Sequence, residues 1–171
     1  MTEVNTPLER IRYREPGVSS YIIVGQQPLG NLPDEPLSAQ DPKWSGARLA
    51  RMAGLTPEEY ESHFMRVNVN YTGDETFKVN DITKRKAVEI WRTFREGDRV
   101  ILLGTSVAKC FTGLIPPELP TSLEPVVKSS TLTKAQVAVI PHPSGINRML
   151  NDPSVVAEIG EFLQKCYRHE W

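Results

Sequence analysis

Tyr21-Ile22-Ile23-Val24, followed at once by Gly25-Gln26-Gln27-Pro28-Leu29-Gly30, is the stretch that decides the fold. Four apolar residues in a row, three of them β-branched, read as a strand covered on both faces. That is the pattern of a parallel sheet and not of a half-solvated antiparallel one. Gly25 and the residues after it then read as a turn rather than a continuing strand. Three more runs rich in β-branched residues or leucine stand out, at residues 64–69, 100–103 and 137–140, and the last two are continuously apolar as well. Helical patterns lie between them. Residues 45–53 place Leu49, Met52 and Ala53 on one face, with Ser45 as a plain N-cap. Thr56, Pro57 and Glu59 form a capping box that opens a short helix. Residues 83–96 set Ala87, Ile90, Trp91 and Phe94 at helical spacing, with Gly97 as the stop. A short helix is expected at 106–111, and Asp152-Pro153 starts a last one with Val155, Val156, Ile159, Phe162, Leu163 and Cys166 as its apolar stripe.

Strands alternating with helices predict an α/β fold: a three-layer α/β/α sandwich around a central four-stranded parallel sheet. The 171 residues read as a single domain spanning 1–171, with 1–20 polar and irregular. All strands of such a sheet point one way, so ligands bind outside their shared C-terminal edge. The residues just past each strand are therefore the ones to search for function. After the first comes Gly25-Gln26-Gln27-Pro28; the second ends in Val67-Asn68-Val69-Asn70. Gly104-Thr105-Ser106 comes after the third, and Pro141-His142-Pro143-Ser144-Gly145 after the fourth.

Composition excludes several classes. Hydrophobic residues are 39% and charged residues 24%, as in ordinary globular chains, so a disordered, collagen-like or disulfide-framework protein is not expected. The longest apolar runs are too short to span a bilayer, and no signal-peptide pattern opens the chain. Two cysteines, Cys110 and Cys166, read as buried thiols of a reducing compartment, which points to the cytoplasm or an association with the nucleoid. Neither a four-cysteine metal site nor a His63, His142 and His169 ligand set is supported by count or spacing, so no metal and no cofactor are expected. Twenty Lys+Arg against twenty-one Asp+Glu leave a net charge of −1. A nucleic-acid contact must then rest on a local cluster, on backbone N–H groups or on helix N-termini. There is no Gly-x-Ser-x-Gly elbow, Walker loop or deaminase zinc pattern.

Two motifs carry a resemblance. Gly25-Gln26-Gln27-Pro28 resembles the first motif of the uracil-DNA glycosylase superfamily, usually Gly-x-(Asp, Asn or Glu)-Pro. His142-Pro143-Ser144-Gly145-Ile146-Asn147-Arg148 resembles the second. It joins the His-Pro-Ser of the archetypal uracil enzymes to the Gly-x-x-Arg tail of the mismatch-specific thymine/uracil branch. Trp44-Ser45-Gly46-x-x-Leu49 and Val67-Asn68-Val69 sit where the superfamily has its pocket wall and base-reading strand. The likeness extends over roughly residues 20 to 165.

The resemblance implies a uracil-DNA glycosylase-like sheet and a base flipped out of DNA. Breaking an N-glycosidic bond puts positive charge on the sugar and negative charge on the departing base. His142, with its backbone held by two prolines, would donate to the base carbonyl oxygen. A histidine that satisfies a loop carbonyl is the bland alternative. Asn68 would read the pyrimidine edge with one acceptor and its donors, with Asn70 as competitor for that role. Gln27 stands where the superfamily usually has a carboxylate or Asn. It can hold a water but supplies no negative charge. Gln26 would bring its backbone carbonyl near the same water. Trp44 either stacks on the base or belongs to core or lid. Ser45, Arg48, Thr105, Ser144 and Gly145 would meet phosphates, with Arg51 a further candidate and Ser106 beside Thr105. Ile146, Asn147 and Arg148 would enter the duplex and fill the gap. Lys84-Arg85-Lys86 reads as a solvated helix face.

The expected activity is that of a monofunctional DNA glycosylase, hydrolysing the bond to uracil or another modified or mismatched pyrimidine, as a monomer without membrane partners. The alternatives are a protein of the same fold that binds DNA or a modified base without excising it, or an enzyme of base modification or free-nucleotide hydrolysis.

Overall fold

The computed structural model describes residues 6–26, 36–70, 77–115, 128–131, 135–143 and 148–171; the side chains of 128–131, 148 and 149 lie outside it. The strands are β1 (Tyr21–Gly25), β2 (Phe64–Asn68), β3 (Arg99–Leu103), β4 (Lys128–Thr131) and β5 (Gln136–Ile140). The helices are α1 (Pro7–Arg12), α2 (Ser45–Ala53), α3 (Pro57–His63), α4 (Asp81–Trp91), α5 (Thr105–Cys110) and α6 (Pro153–Tyr167). The sheet order is β2-β1-β3-β5-β4. The four strands expected from the apolar runs are all parallel and adjacent.

Both faces of the sheet are covered. Ile22, Val24, Val100, Leu102, Val137 and Val139 pack one way, against α1, α4 and α5. Tyr21, Ile23, Ile101, Leu103 and Ile140 pack the other way, against α2, α3 and α6. Alternate residues of one strand thus enter two separate cores, which is why the β1, β3 and β5 runs are apolar without a break, while β2, at one end of the strand order, carries Arg66 and Asn68. The α2–α6 contact is close: a β-carbon on Gly160 would come within 2.1 Å of the Met52 carbonyl.

The structure departs from expectation in five places. A fifth strand, β4, extends the sheet antiparallel to β5. Its Lys-Ser-Ser-Thr sequence carries no apolar alternation, because one neighbour suffices at a sheet edge. The segment 1–20 is not irregular throughout. Thr6 caps α1, Pro7 takes its first turn, and Leu8 and Ile11 are buried. Helix α4 spans Asp81–Trp91 and not 83–96: a capping box between Asn80 and Thr83 sets its start, and Arg92 ends it. Residues 92–97 instead form a turn closed by Asp98, whose carboxylate accepts from the Arg95 N–H at 2.7 Å. Helix α5 begins one residue early, at Thr105. The cap of α2 is Trp44, not Ser45, and no side chain closes it. The Thr56 capping box and the Asp152 cap of α6 stand as read. Cys110 and Cys166 are free buried thiols. No described helix is long and apolar enough to cross a membrane.

Candidate functional site

The parallel register sets four strand ends side by side. Gly25 pairs with Asn68, Val24 with Leu102, and Leu103 with Ile140. Beyond the strands the ladder runs on: Val69 N–H donates to the Gly25 carbonyl and Asn70 N–H to that of Gln26, both at 2.9 Å. Gly104 N–H donates to the Ile140 carbonyl at 2.8 Å. The edge therefore presents Asn68, then Gln26, then Thr105, then His142. Asn68 and His142 are three strand steps apart, roughly 14 Å between backbones.

Asn68 is 1% exposed, yet neither its Oδ1 nor its Nδ2 has a hydrogen-bond partner. A buried amide is nearly always satisfied, and each unmet group costs about 1–3 kcal/mol. Asn70 is also buried, but its Oδ1 accepts from Lys86 Nζ at 2.9 Å. The two asparagines are thereby told apart. The same bond corrects the reading of 84–86 as a solvated face. Lys84 and Arg85 are exposed, whereas Lys86 is half-buried and turned toward the strand end.

His142 is half-buried between two buried prolines, Pro141 and Pro143. Burial pushes its imidazole below the ordinary value, so the neutral ring is favoured. Gly104, at φ +89, lets it approach: a β-carbon there would stand 3.1 Å from that of His142. Thr105 is half-buried in the first turn of α5.

Leu37 is the residue sequence reasoning missed. Its backbone has φ +54, rare for a branched side chain. Tyr60 Oη donates to its carbonyl at 3.0 Å, and a β-carbon on Gly46 would lie 1.9 Å from that same oxygen. Gly46 and Tyr60 so hold Leu37 with its Cδ atoms against Gly25, beside the Asn68 amide. Nothing in the Leu37 neighbourhood of the chain signals this, since every partner is distant in sequence. Trp44, Ser45 and Arg48 are half-buried in the first turns of α2, the helix that Gly46 seats on Leu37. Arg51 is exposed, its Nη1 donating to the Pro42 carbonyl at 2.9 Å. The Gln26 carbonyl, expected near a water, accepts from Asn70.

Gln27, Ser144, Gly145, Ile146 and Asn147 lie outside the described residues. So does the side chain of Arg148, whose backbone opens a 3-10 turn, Arg148–Asn151. Among the described residues no three His, Cys, Asp or Glu side chains are grouped to hold a metal ion. Two cavities lined by described residues lie away from this edge, one beside α1 and β2 and one at the N-terminal edge of the sheet. Comparisons with family models, with curated proteins and with solved structures each returned no match.

Proposed function

We propose that this chain is a monofunctional DNA glycosylase of the uracil-DNA glycosylase type, acting on a pyrimidine turned out of DNA onto the C-terminal edge of the sheet. One observation carries the reading: the Asn68 carboxamide, a donor and an acceptor held together, is buried and unpartnered. The N–H and C=O of a pyrimidine edge meet both needs at once. A bound base would remove a desolvation penalty the free protein carries.

In the reaction the C1′–N bond breaks and its electron pair leaves with the base. A water oxygen bonds to the sugar carbon, and the proton that water sheds ends, through solvent, on the departing base anion. The neutral His142 ring donates to the base oxygen where that charge collects. Gln27 orients the water, and Ile146, Asn147 and Arg148 keep the strand open. Resemblance in two ordered motifs supports these roles; the buried carboxamide and the neutral imidazole support those of Asn68 and His142.

Duplexes carrying uracil, mismatched thymine or a hydroxymethylpyrimidine provide the test. Alkali-labile abasic sites that disappear in His142→Ala support excision. Gln27, with no carboxylate, favours a second reading, binding without excision. Tight, salt-sensitive binding to such duplexes with no abasic product supports that reading instead. Neither outcome on any of the three duplexes overturns both.

A further inference from the structure

The sheet has a second chemical edge. At its N-terminal side a cavity of about 430 Å³ lies between the start of β1, the start of β3, the end of α3 and the residues after α6. Arg99, His63, His169, Ser19, Ser20 and Ser62 line it together with Trp171, whose main-chain oxygen accepts from Tyr21 Oη at 2.6 Å; no acidic side chain does. It lies on the far side of the sheet from Asn68 and His142.

We propose that this cavity binds a phosphate-bearing small molecule, with Arg99 as its fixed cation. The charge balance is the argument. Of the other half-buried arginines, Arg14 pairs with Asp98, Arg66 with Glu61, and Arg95 donates to the carbonyls of Glu15, Val18 and Arg14; Arg48, like Arg99, has no carboxylate among the described residues. Half-buried Arg99 has no carboxylate partner among the described residues. Its Nη1 donates to the Gly97 carbonyl at 2.8 Å, which fixes the guanidinium plane, and its Nε is buried without an acceptor. Asp98, the next residue in the chain, cannot neutralise it. That carboxylate is fully buried and already accepts from Arg14, Ser20 N–H and Arg95 N–H. A half-desolvated cation without a counter-ion is unfavourable, and a dianion removes the imbalance.

The walls suit that ligand. The His63 and His169 rings stand 5.1 Å apart, and Tyr21 lies 4.9 Å from His63. His63 Nε2 donates to the Cys166 carbonyl at 2.9 Å, which sets the ring orientation. Two left-handed residues shape the opening, His169 at φ +57 and Gly97 at φ +90. A side chain at Gly97 would press on Ser19 at 3.2 Å. His169 is exposed and belongs to the C-terminal cap of α6, its N–H donating to the Cys166 carbonyl at 3.1 Å and the Glu170 N–H to that of Lys165 at 2.7 Å. The cavity exceeds a bare phosphate and is concave, which suits a phosphomonoester with a sugar-sized body and does not suit a duplex backbone.

The proposal stands apart from the glycosylase reading and is tested without DNA chemistry. The full chain is titrated by calorimetry and by NMR with inorganic phosphate, ribose 5-phosphate and ribose. The expected result is saturable binding of one or both phosphates, with shifts at Arg99, His63 and His169 and none from ribose. Comparing the two phosphates identifies whether the ester body is recognised. Arg99→Gln is expected to weaken binding by roughly tenfold or more. His169→Asn, which tolerates the positive φ, is the second variant and is expected to weaken it by a few-fold at unchanged fold. No saturation up to about 10 mM, unchanged affinity in the folded Arg99→Gln or His169→Asn variant, or shifts confined to the Asn68 edge would each overturn it.

Discussion

The carboxamide oxygen of Asn68 stands 2.6 Å from the point where a β-carbon on Gly25 would lie. Gly25 is thus the floor on which the Asn68 amide rests, and Leu37 closes in from the side, its Cδ2 3.0 Å from the same point. A methyl group there must displace one of them. Gly25→Ala is expected to fold with a loss of about 1–3 kcal/mol, the usual range for overpacking. Moving the amide by even 1 Å should lower excision on the order of 10²-fold. Single-turnover cleavage and a thermal melt of one sample check both numbers. Unaltered cleavage would show that Asn68 is not the reader.

Asn68 itself should behave as a residue kept at the expense of stability. Both of its polar atoms are buried and unmet. Asn68→Leu, of similar shape, removes them. The melting temperature is expected to rise by a few degrees, about 2–4 °C per kcal/mol for a chain of this size. Base recognition should vanish in the same variant, the signature of a functional site held against folding. A fall in the melting temperature would mean that the free protein already satisfies the amide.

How much of this was legible beforehand depends on the range of the interaction involved. Three of the four parallel strands could be read because burial on both faces forces a continuous apolar run, a local signal, and β2 by its Phe64, Met65 and Val67. Their C-terminal residues came with them, since topology alone gathers them at one edge. Strand β4 carried no such signal, and α1 was hidden by its brevity, with only Leu8 and Ile11 to mark an inner face. The choice between Asn68 and Asn70 was not decidable locally either. It turns on Lys86, sixteen residues beyond Asn70, reaching back from α4. Leu37 and the meeting of His63 with His169 are likewise products of contacts far apart in sequence.

Arg14 and Asp98 form the ion pair that fastens the N-terminal segment to the sheet. Two guanidinium nitrogens meet the two carboxylate oxygens at 2.9 Å, and the side chains are 5% and 0% exposed. Arg14 Nε also donates to the Ile11 carbonyl at the end of α1. Arg14→Ala leaves Asp98 buried with two amide donors and no cation. A loss of about 3–5 kcal/mol in urea unfolding is expected. A loss below about 1 kcal/mol, the level of exposed pairs, would show that water reaches the carboxylate.

Acid should weaken the fold through its imidazoles. Burial lowers both His142 and His63 below the ordinary value of 6.5. The unfolded chain therefore binds more protons than the folded one as pH falls below that value, so stability is present above it and drains away as pH drops through the folded values. The melting temperature is expected to fall between about pH 7 and pH 5, and less steeply in His142→Gln. Excision should share an acidic limb in that range, since a protonated His142 must first lose its charge to recover the neutral donor. A flat melting curve across the range would place both rings in water.

The Gln26-Gln27 pair makes the last prediction, on rate. The motif that Gly25–Pro28 resembles usually has a carboxylate or Asn at the second of these positions, and in the proposed reaction Gln27 would offer no charge to a cationic sugar. Its neighbour is anchored, the Gln26 carbonyl accepting from Asn70 at 2.9 Å. A substitution at 27 should therefore act on chemistry more than on folding. Gln27→Asp is expected to raise single-turnover excision on the order of 10²–10³-fold, the scale of one preorganised electrostatic group. Substrate affinity should change far less, because the charge matters only as the sugar becomes cationic. An unchanged rate in a variant that still binds the duplex would mean that residue 27 does not face the sugar, and the water would need another holder.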